Sequence, residues 1–306
     1  MSQKTILVTA ANGNVGSSLA RRLLDQGFKV NALVRNTAST SARDLERHGA
    51  NIFQGDYDDI KSLENASRGI WGVFINAFPI RGTLDELRHN TNVIKVAKEA
   101  GAKFGIYMSA ILTQYKDELP DLNPQHERYH YWESKYGTEE ALQAAGFDYW
   151  TILRPGTFIS NFFGPLSSFA WPTFQKQHLL ISPVPPSGTI PLVDPDYIAD
   201  YAAAAFAEPN TFNGLAIDLA NEDITLKDFG KLITDNTGIQ ITVNHVSKED
   251  AVAHGIPASF AVWFGWIKMT NYHTDYERLD QLPVKRTTVT EFLKKNKNSI
   301  TAFLSA

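Results

Sequence analysis

The sequence contains no cysteine among its 306 residues. Disulfides, thiolate zinc sites, iron–sulfur clusters and cysteine nucleophiles are therefore excluded. An excess of positive charge is also missing, since 29 lysines and arginines face 33 aspartates and glutamates and give a net charge of −4. That balance argues against a surface that neutralises nucleic-acid phosphates. We therefore expect no direct binding to nucleic acid.

Long apolar runs are absent as well. No window holds about 18 uncharged apolar residues, the length that a transmembrane helix requires, so no contact with a membrane is expected. The first residues, MSQKTILVTAANG, lack the long apolar stretch and small-residue cleavage site of a signal peptide and are typical of a first strand. The expected location is cytoplasmic.

Short apolar strands alternate with helices over the first half of the chain. The predicted strands cover residues 4–9, 28–35, 51–56, 72–77, 104–110 and 148–155. This alternation is typical of parallel βαβ units, and nearly all-apolar strands indicate that helices cover both faces of the sheet. The sequence therefore predicts an α/β fold with a doubly wound parallel sheet of the Rossmann type.

The character of the chain changes after Pro155. Residues 156–195 are rich in Phe, Trp, Pro and Gly, and the last helix is predicted over residues 287–304. We expect residues 1–155 to form the Rossmann domain and residues 156–306 a smaller α+β domain for a substrate or partner. Segments around 190–220 are expected to return to the first domain.

A turn containing two glycines joins the first strand to the first helix. In this position, backbone N–H groups and the helix N-terminus can bind a pyrophosphate. Gly13 lets the backbone approach the phosphate and Gly16 allows close packing of helix on strand, while Ala10 replaces the first glycine of the usual motif and is tolerated if its φ stays negative. The predicted cofactor-binding residues here are Thr9, Ala11, Asn12, Gly13, Asn14, Val15 and Gly16.

The ends of the next strands carry the residues that would select the cofactor. Arg35 follows the second strand, where an arginine can bind the 2′-phosphate of NADP; the alternative is a solvated surface arginine. Asp56 and Tyr57 follow the third strand and are predicted beside the adenine, although Asp56 could instead be a helix N-cap. We therefore predict NADP(H) as the cofactor. Further predicted cofactor contacts are Ala77, Phe78, Pro155 and Phe158.

Taken together, these segments resemble the NmrA-like family, atypical members of the short-chain dehydrogenase/reductase superfamily. The matching stretches are TAANGNVG, ALVRN, GDYDD, YMSA, the SK…EEAL helix, LRPGTFISNF and VKRTTVTEFLKKN. The resemblance implies a Rossmann domain, a smaller C-terminal domain and an NADP(H) site at the carboxyl ends of the strands. Some members of the family reduce quinones and other small molecules, and others are regulators that bind dinucleotide without turnover.

The segment HERYHYWESK, residues 126–135, matches two catalytic patterns. His126-Glu127-x-x-His130 matches the HExxH zinc motif, but no third ligand follows at the spacing of known zinc proteases. We expect no metal site. Tyr131-x-x-x-Lys135 matches the tyrosine and lysine of short-chain dehydrogenases and places both side chains on one helical face.

A catalytic site follows from the second pattern. Lys135 would lower the pKa of Tyr131, which would donate a proton to a carbonyl oxygen that Ser109, at the end of the fifth strand, orients. Lys135 is also expected to bind the ribose of the cofactor. In a competing register His130 takes the place that histidine occupies in many NmrA-like proteins, and Tyr131 is then a packing residue.

Aromatic residues after the sixth strand indicate an apolar substrate. The predicted pocket consists of Phe158, Asn161, Phe162, Trp171 and Trp263. The alternative is that most of these side chains form the core of the smaller domain, with SFAVWFGW, residues 259–266, as a partner surface. The sequence thus favours an NADPH-dependent oxidoreductase acting on a small carbonyl, enone, imine or quinone. The second interpretation is a regulator that senses NADP(H) and binds a protein partner.

Overall fold

The computed structural model describes residues 3–269 and 272–306. Within these ranges the strands cover, in chain order, Thr5–Val8 (β1), Lys29–Val34 (β2), Asn51–Gln54 (β3), Gly72–Ile75 (β4), Phe104–Met108 (β5), Tyr149–Pro155 (β6), Thr157–Phe158 (β7), Leu179–Ser182 (β8), Thr189–Val193 (β9), Leu215–Leu219 (β10), Glu222–Thr225 (β11) and Thr242–His245 (β12). All the strands predicted for the first half of the chain form, and each is one or two residues shorter than expected.

The α-helices cover Asn14–Asp25 (α1), Thr40–Arg47 (α2), Ile60–Ala66 (α3), Asp85–Glu99 (α4), Tyr129–Ala144 (α5), Ser167–Ala170 (α6), Phe174–Gln177 (α7), Pro195–Ala207 (α8), Pro209–Phe212 (α9), Leu226–Thr237 (α10), Lys248–Ala253 (α11), Ala258–Met269 (α12), Tyr276–Asp280 (α13), Val289–Lys295 (α14) and Lys297–Leu304 (α15). Short 3₁₀ segments cover Thr113–Glu118 and Ile159–Phe162. The last helix, predicted as one, is divided at Asn296 into α14 and α15.

Two compact units make up the chain. The larger unit contains Met1–Lys116, Leu122–Arg154 and Ile198–Asp218, and the smaller unit contains Asp117–Asp121, Pro155–Tyr197 and Leu219–Ala306.

The larger unit is built on a seven-stranded sheet in the order β10-β6-β5-β4-β1-β2-β3. The pairs from β3 through β6 are parallel, as βαβ connections require, and buried Leu, Ile, Val and Phe side chains fill the strands. This is the doubly wound Rossmann-type order, so the predicted α/β fold class is confirmed. Ligands of such sheets bind beyond the carboxyl ends of the strands where the strand order reverses, which here is between β1 and β4.

The smaller unit has mixed α+β structure. One sheet has the order β11-β9-β7, in which β11 runs antiparallel to β9 and β7 runs parallel to it, and a second sheet pairs β12 with β8 in parallel. An aromatic and aliphatic core packs between these strands and the helices α10, α14 and α15.

Candidate functional site

The turn between β1 and α1 has the shape of a phosphate-binding loop, and its geometry corrects one sequence expectation. Ala10 has a φ of +46°, although we expected a negative φ for an alanine at this position. The Gly13 N–H donates to the Ala10 carbonyl oxygen at 2.9 Å, and this hydrogen bond closes the turn. A Cβ at Gly16 would lie 2.3 Å from the same oxygen, so only glycine fits there.

The strained alanine leads to a prediction about stability. Left-handed backbone costs an L-residue about 1–2 kcal/mol, whereas glycine adds about 0.4–1 kcal/mol of unfolded-state entropy. We therefore expect Ala10→Gly to raise the free energy of unfolding by about 0.5–1 kcal/mol, measured by urea denaturation. A loss of stability in Ala10→Gly would contradict the strain at this position.

The first turn of α1 leaves its backbone donors available to a ligand. Gly13 is the N-cap, no side chain caps the helix and no acidic residue lies in its first turn. The N–H groups of Asn14, Val15 and Gly16 cannot reach a carbonyl within the helix, and Asn12, Gly13 and Asn14 are exposed. These N–H groups and the positive end of the helix dipole suit a phosphate.

Thr9 and Ala11 both make hydrogen bonds that stabilise the turn. The buried Thr9 hydroxyl contacts the carbonyl oxygens of Phe74 and Asn76 at 3.0 and 3.2 Å and accepts from the Asn76 N–H. The Ala11 N–H donates to Leu33 at 3.3 Å and its side chain is buried. Thr9 thus joins the ends of β1 and β4, and Ala11 joins the turn to β2. The predicted contacts of Thr9 and Ala11 with a cofactor stay predictions.

Arg35 follows β2 directly and is exposed. Within the described residues no hydrogen bond or ion pair engages its guanidinium group. Asp44, the first acidic residue after Arg35, pairs with Arg21 and Arg47. The end of β2 therefore presents a free cation and no free carboxylate.

Tyr57 lies at the carboxyl ends of β3 and β4. Its hydroxyl donates to the Asn76 carbonyl oxygen at 2.7 Å, and its ring stacks on His89 with centroids 5.3 Å apart. Burial raises the pKa of Tyr57 to about 12, so the phenol stays protonated. The alternative of an Asp56 N-cap is wrong, because Asp59 caps α3 by accepting from the Ser62 N–H. Among the residues that the structure describes, the exposed Asp56 carboxylate accepts only from the Asp58 N–H of its own turn.

The loop after β4 continues this edge of the sheet. Ala77 is buried, and the side chain of Phe78 is among the most exposed apolar groups, at 82%. Arg81, three residues further on, pairs with Glu127 at 2.6 Å. The predicted contacts of Ala77 and Phe78 with a cofactor stay predictions.

Helix α5 places Tyr131 and Lys135 on one face, one turn apart. The Lys135 Nζ lies 5.7 Å from the Tyr131 ring centroid and 3.5 Å from the carbonyl oxygen of Met108, the last residue of β5. No hydrogen bond to the Tyr131 hydroxyl occurs in the described part of the chain. Burial raises the pKa of Tyr131 above its ordinary value, and the lowering effect of the Lys135 ammonium only partly opposes this. Tyr131 is thus a protonated phenol.

The start of α5 does not allow the geometry of an HExxH zinc motif, in which both histidines lie on one helix. α5 begins at Tyr129, so His126 lies outside it in a turn and accepts from the Arg128 N–H through Nδ1. His126 and His130 therefore do not stand one helical turn apart. No cluster of three or more histidine and acidic side chains suited to a metal ion occurs within residues 3–269 and 272–306.

Ser109 belongs to a different polar network from Tyr131 and Lys135. Its buried hydroxyl donates to Glu139 at 2.5 Å, and Glu139 in turn accepts two hydrogen bonds from Arg154 at 2.9 and 2.5 Å. In this arrangement the Ser109 hydroxyl donates inside the protein, and its role in orienting a substrate carbonyl stays a prediction. The structure brings Lys135 and Tyr131 together and leaves Ser109 out of that pair.

The predicted substrate residues lie in the smaller unit and divide into two groups. Phe162 and Trp171 stack at 3.9 Å in the core, where Phe174 and Phe229 close over Phe162. Both rings are buried in this core, which agrees with the alternative that they are core residues, and their predicted contact with a substrate stays a prediction. Phe158, Asn161 and Trp263 are partly exposed, and Pro155 is buried at the end of β6. The roles of these four residues stay predictions.

Sequence reasoning missed two acidic residues of the larger unit. Glu86 forms an ion pair with Lys135 at 2.7 Å, and Glu139 holds both Ser109 and Arg154. Glu139 stands one helical turn beyond Lys135 in the sequence, which is the only local signal for it. Glu86 lies on α4 and has no local signal.

Two cavities are lined by none of the predicted site residues. A cavity of about 550 Å³ lies beside Thr5, Asn31, Asn51 and Arg68, and one of about 500 Å³ lies beside Asp280 and Arg286 of the smaller unit.

Among the described residues no helix has the length and apolar character needed to cross a membrane.

Comparison with known proteins identifies relatives of this architecture. An NmrA-like family domain-containing oxidoreductase of Aspergillus japonicus is 28% identical over 252 residues, which are 76% of this chain and 73% of that protein. A (4-alkanoyl-5-oxo-2,5-dihydrofuran-3-yl)methyl phosphate reductase of Streptomyces griseus is 28% identical over 65% of this chain and 62% of its own length.

Solved structures agree on the fold. The quinone oxidoreductase of Escherichia coli complexed with NADPH has a TM-score of 0.75 at 24% identity, and the similarity covers 96% of this chain and all of that one. The triphenylmethane reductase of Citrobacter sp. complexed with NADP(H) has a TM-score of 0.74 at 21% identity, covering 95% of this chain and 99% of that one. The negative transcriptional regulator NmrA with NAD has a TM-score of 0.67 at 19% identity, covering 100% and 94%.

The sequence pattern of the NmrA-like family matches residues 2–299. That match spans nearly the whole chain and agrees with the motifs that first suggested the resemblance. The chain therefore belongs to the NmrA-like family.

Proposed function

We propose that this protein is an NADPH-dependent oxidoreductase that reduces a small, largely apolar carbonyl, enone, imine or quinone. The observation that carries the proposal is the pairing, at the carboxyl edge of one sheet, of an open phosphate-binding turn with the Tyr131–Lys135 face of α5. Relatives named as oxidoreductases and reductases support it.

The residues fit a nicotinamide dinucleotide. The uncapped N-terminus of α1 and the exposed turn at Asn12–Asn14 suit its pyrophosphate. Tyr57 suits the edge of the adenine, and the unpaired Arg35 suits a 2′-phosphate. When bound, NADPH supplies a hydride, with its two electrons, to the acceptor carbon and becomes NADP⁺.

The chain's own part in the reaction is the proton. Tyr131 stays protonated at neutral pH because burial raises its pKa, so it donates its proton to the acceptor oxygen as the hydride reaches the carbon. Solvent then returns a proton to the phenolate. Lys135 stabilises that phenolate through its charge and binds the ribose of the cofactor.

Cofactor preference gives a direct test of Arg35. Arg35→Ala is expected to weaken NADPH binding by about 1.5–3 kcal/mol, the value of a hydrogen bond to a charged group, and to leave NADH binding nearly unchanged. Isothermal titration of both cofactors measures this. Arg43→Ala, on an exposed part of α2, is the control and is expected to change neither. Equal losses for NADPH and NADH would refute the assignment.

The proposed activity is tested by NADPH oxidation, followed at 340 nm, against a panel of quinones, ketones, enones and imines. We expect at least one class of acceptor to be reduced with NADPH consumed in equal amount. Tight NADPH binding with no turnover across the panel would favour the second candidate function.

That second candidate is an NADP(H)-sensing regulator that binds a protein partner. One specific observation favours it: the Ser109 hydroxyl is held by Glu139 and does not join Tyr131 and Lys135. The similarity of fold to the transcriptional regulator NmrA agrees with it. Tyr131, with a hydroxyl that no described residue engages, favours the enzyme.

A further inference from the structure

Lys135 is held in a buried ion pair that the sequence does not suggest. Its Nζ lies 2.7 Å from Oε1 of Glu86, and the two side chains are 6% and 1% exposed. Glu86 belongs to the first turn of α4, which packs along α5. The Lys135 ammonium also donates to the carbonyl oxygen of Met108, the last residue of β5. These two contacts fix its position beyond the end of β5.

Several buried polar atoms near this pair lack a hydrogen-bond partner among the described residues. Asn90, one turn after Glu86, is fully buried, and neither its Oδ1 nor its Nδ2 has a hydrogen-bond partner among the described residues. The same holds for the buried Oγ of Ser134, the neighbour of Lys135 on α5. Proteins seldom leave several buried polar atoms unpaired. When they do, function is a better explanation than stability.

A buried ion pair is a poor means of joining two helices. The desolvation of both charges offsets most of their attraction, and apolar residues of similar volume often stabilise a fold as well or better. Elsewhere α4 is held by buried Val93, Ile94, Val96 and Ala97. The charges of Glu86 and Lys135 therefore need a reason other than the packing of α4 on α5.

We propose that Glu86 is a positioning residue of the cofactor site, which keeps the Lys135 ammonium charged and in place to contact the ribose and Tyr131. The inference rests on the proposed function, because it assigns Glu86 a role through Lys135. Glu86 itself touches neither cofactor nor substrate in this scheme. Without its carboxylate, Lys135 would be a buried lysine with no counter-ion.

Several charged and titratable groups lie around this pair, and one of them, His89 of α4, interacts electrostatically with Glu86. Glu86 faces Lys135 from α4, Tyr107 from β5 and Tyr131 from α5, with ring centroids 5.6 and 5.7 Å from Nζ. Arg128, before α5, lies 5.7 Å from the Tyr131 ring. Burial alone would lower the pKa of Lys135, but the Glu86 carboxylate opposes this, and the pKa lies above its ordinary value.

The experiment measures NADPH affinity against pH by titration of intrinsic fluorescence. Wild-type protein is expected to bind NADPH with the same Kd at about pH 7 and about pH 9, because Lys135 stays charged at both. In Glu86→Gln the unpaired lysine loses its proton within this range, since burial can lower a lysine pKa by several units. We expect its Kd to rise about tenfold from pH 7 to pH 9.

Two further variants complete the comparison. Glu86→Asp keeps the negative charge but moves it one methylene group further from Lys135. We expect the Kd of NADPH in this variant to rise about threefold from pH 7 to pH 9. Asp85→Asn removes the neighbouring charge of α4, which pairs with Arg88 at 2.7 Å, and its Kd is expected to stay constant with pH. A merely structural role of Glu86 would lower the melting temperature without making NADPH binding depend on pH.

The outcomes separate this inference from the proposed function. If wild-type protein does not bind NADPH, the proposed function fails and this inference fails with it. If wild-type protein binds NADPH but Glu86→Gln keeps a constant Kd between the two pH values, the role of Glu86 is overturned and the proposed function stands. If Glu86→Gln does not fold, Glu86→Asp decides alone, and a constant Kd in that variant overturns the proposal.

Discussion

Replacing Tyr131 by phenylalanine is expected to lower kcat on a ketone by about 10²–10⁴-fold, the usual size of a general-acid contribution. The phenol has the properties that this role requires. Burial keeps it protonated, Lys135 lies one helical turn away, and no described residue engages its hydroxyl. NADPH affinity should barely change, because the hydroxyl is not needed to hold the cofactor.

The measurement is steady-state kinetics with an acceptor found by the panel, together with the Kd of NADPH. Tyr129→Phe is the matched control, since Tyr129 is a partly exposed tyrosine at the start of the same helix; it should keep kcat within about twofold. Full activity of Tyr131→Phe on a ketone would place the proton donor elsewhere, with His130 or solvent next to be tested. A quinone or iminium acceptor does not decide the question, because it can take a hydride without that proton.

Placing valine at Gly13 is expected to abolish dinucleotide binding while the protein still folds. Gly13 has a φ of −83° and a ψ of 173°, a conformation that any residue adopts. The nearest atom to an added Cβ is the Ala10 carbonyl oxygen at 3.3 Å, which is a tight but tolerable contact. A β-branched side chain there would occupy the space in front of the α1 N–H groups that a phosphate needs. We expect NADPH affinity to fall by more than about 100-fold.

Circular dichroism and thermal melting establish that Gly13→Val is folded, and isothermal titration gives its affinity. Gly164→Val, at a glycine whose added Cβ would meet nothing closer than 3.7 Å, is the control and should bind NADPH as the wild type does. Unchanged NADPH affinity in folded Gly13→Val would show that the turn has only a structural role. Gly16 is less useful for this test, because its clash with Ala10 would disturb the turn itself.

Patterns with a local physical cause were predicted well from the sequence. The spacing of apolar residues predicted the strands and helices of the first half of the chain. The glycine turn lies at the expected place between β1 and α1. Arg35 could be placed because it follows the last residue of a strand. Tyr131 and Lys135 could be paired because one helical turn separates them.

Features that depend on tertiary contacts were not predictable in this way. The positive φ of Ala10 occurs in a turn closed by the Gly13 N–H and packed against Gly16. The presence of an alanine in the sequence does not indicate that φ. Ser109 stands at the expected strand end, but its partner Glu139 comes from a helix 30 residues further along the chain. Aromatic residues indicate a pocket and a core equally well, and only the fold assigns Phe162 and Trp171 to the core.

The pairing of Glu86 with Lys135 is a clear example of this limit. Two charges on different helices carry no common pattern in the sequence, and α4 by itself looks like an ordinary amphipathic helix with acidic residues in its first turn. Only the packing of α4 on α5 shows that one of those acidic residues is buried against a lysine. The constant NADPH affinity between about pH 7 and about pH 9, and its expected loss in Glu86→Gln, are therefore predictions that the sequence alone does not indicate.

The central claim is that this protein transfers hydride from NADPH to a carbon of its substrate. The most direct test follows deuterium from NADPH labelled at the transferring C4 position into the product of a ketone or enone acceptor, read by mass spectrometry. The account predicts about one deuterium at carbon in the product for each NADPH consumed, and loss of that transfer in Tyr131→Phe with a ketone. NADPH that binds tightly but passes no deuterium to any acceptor of the panel would contradict the claim.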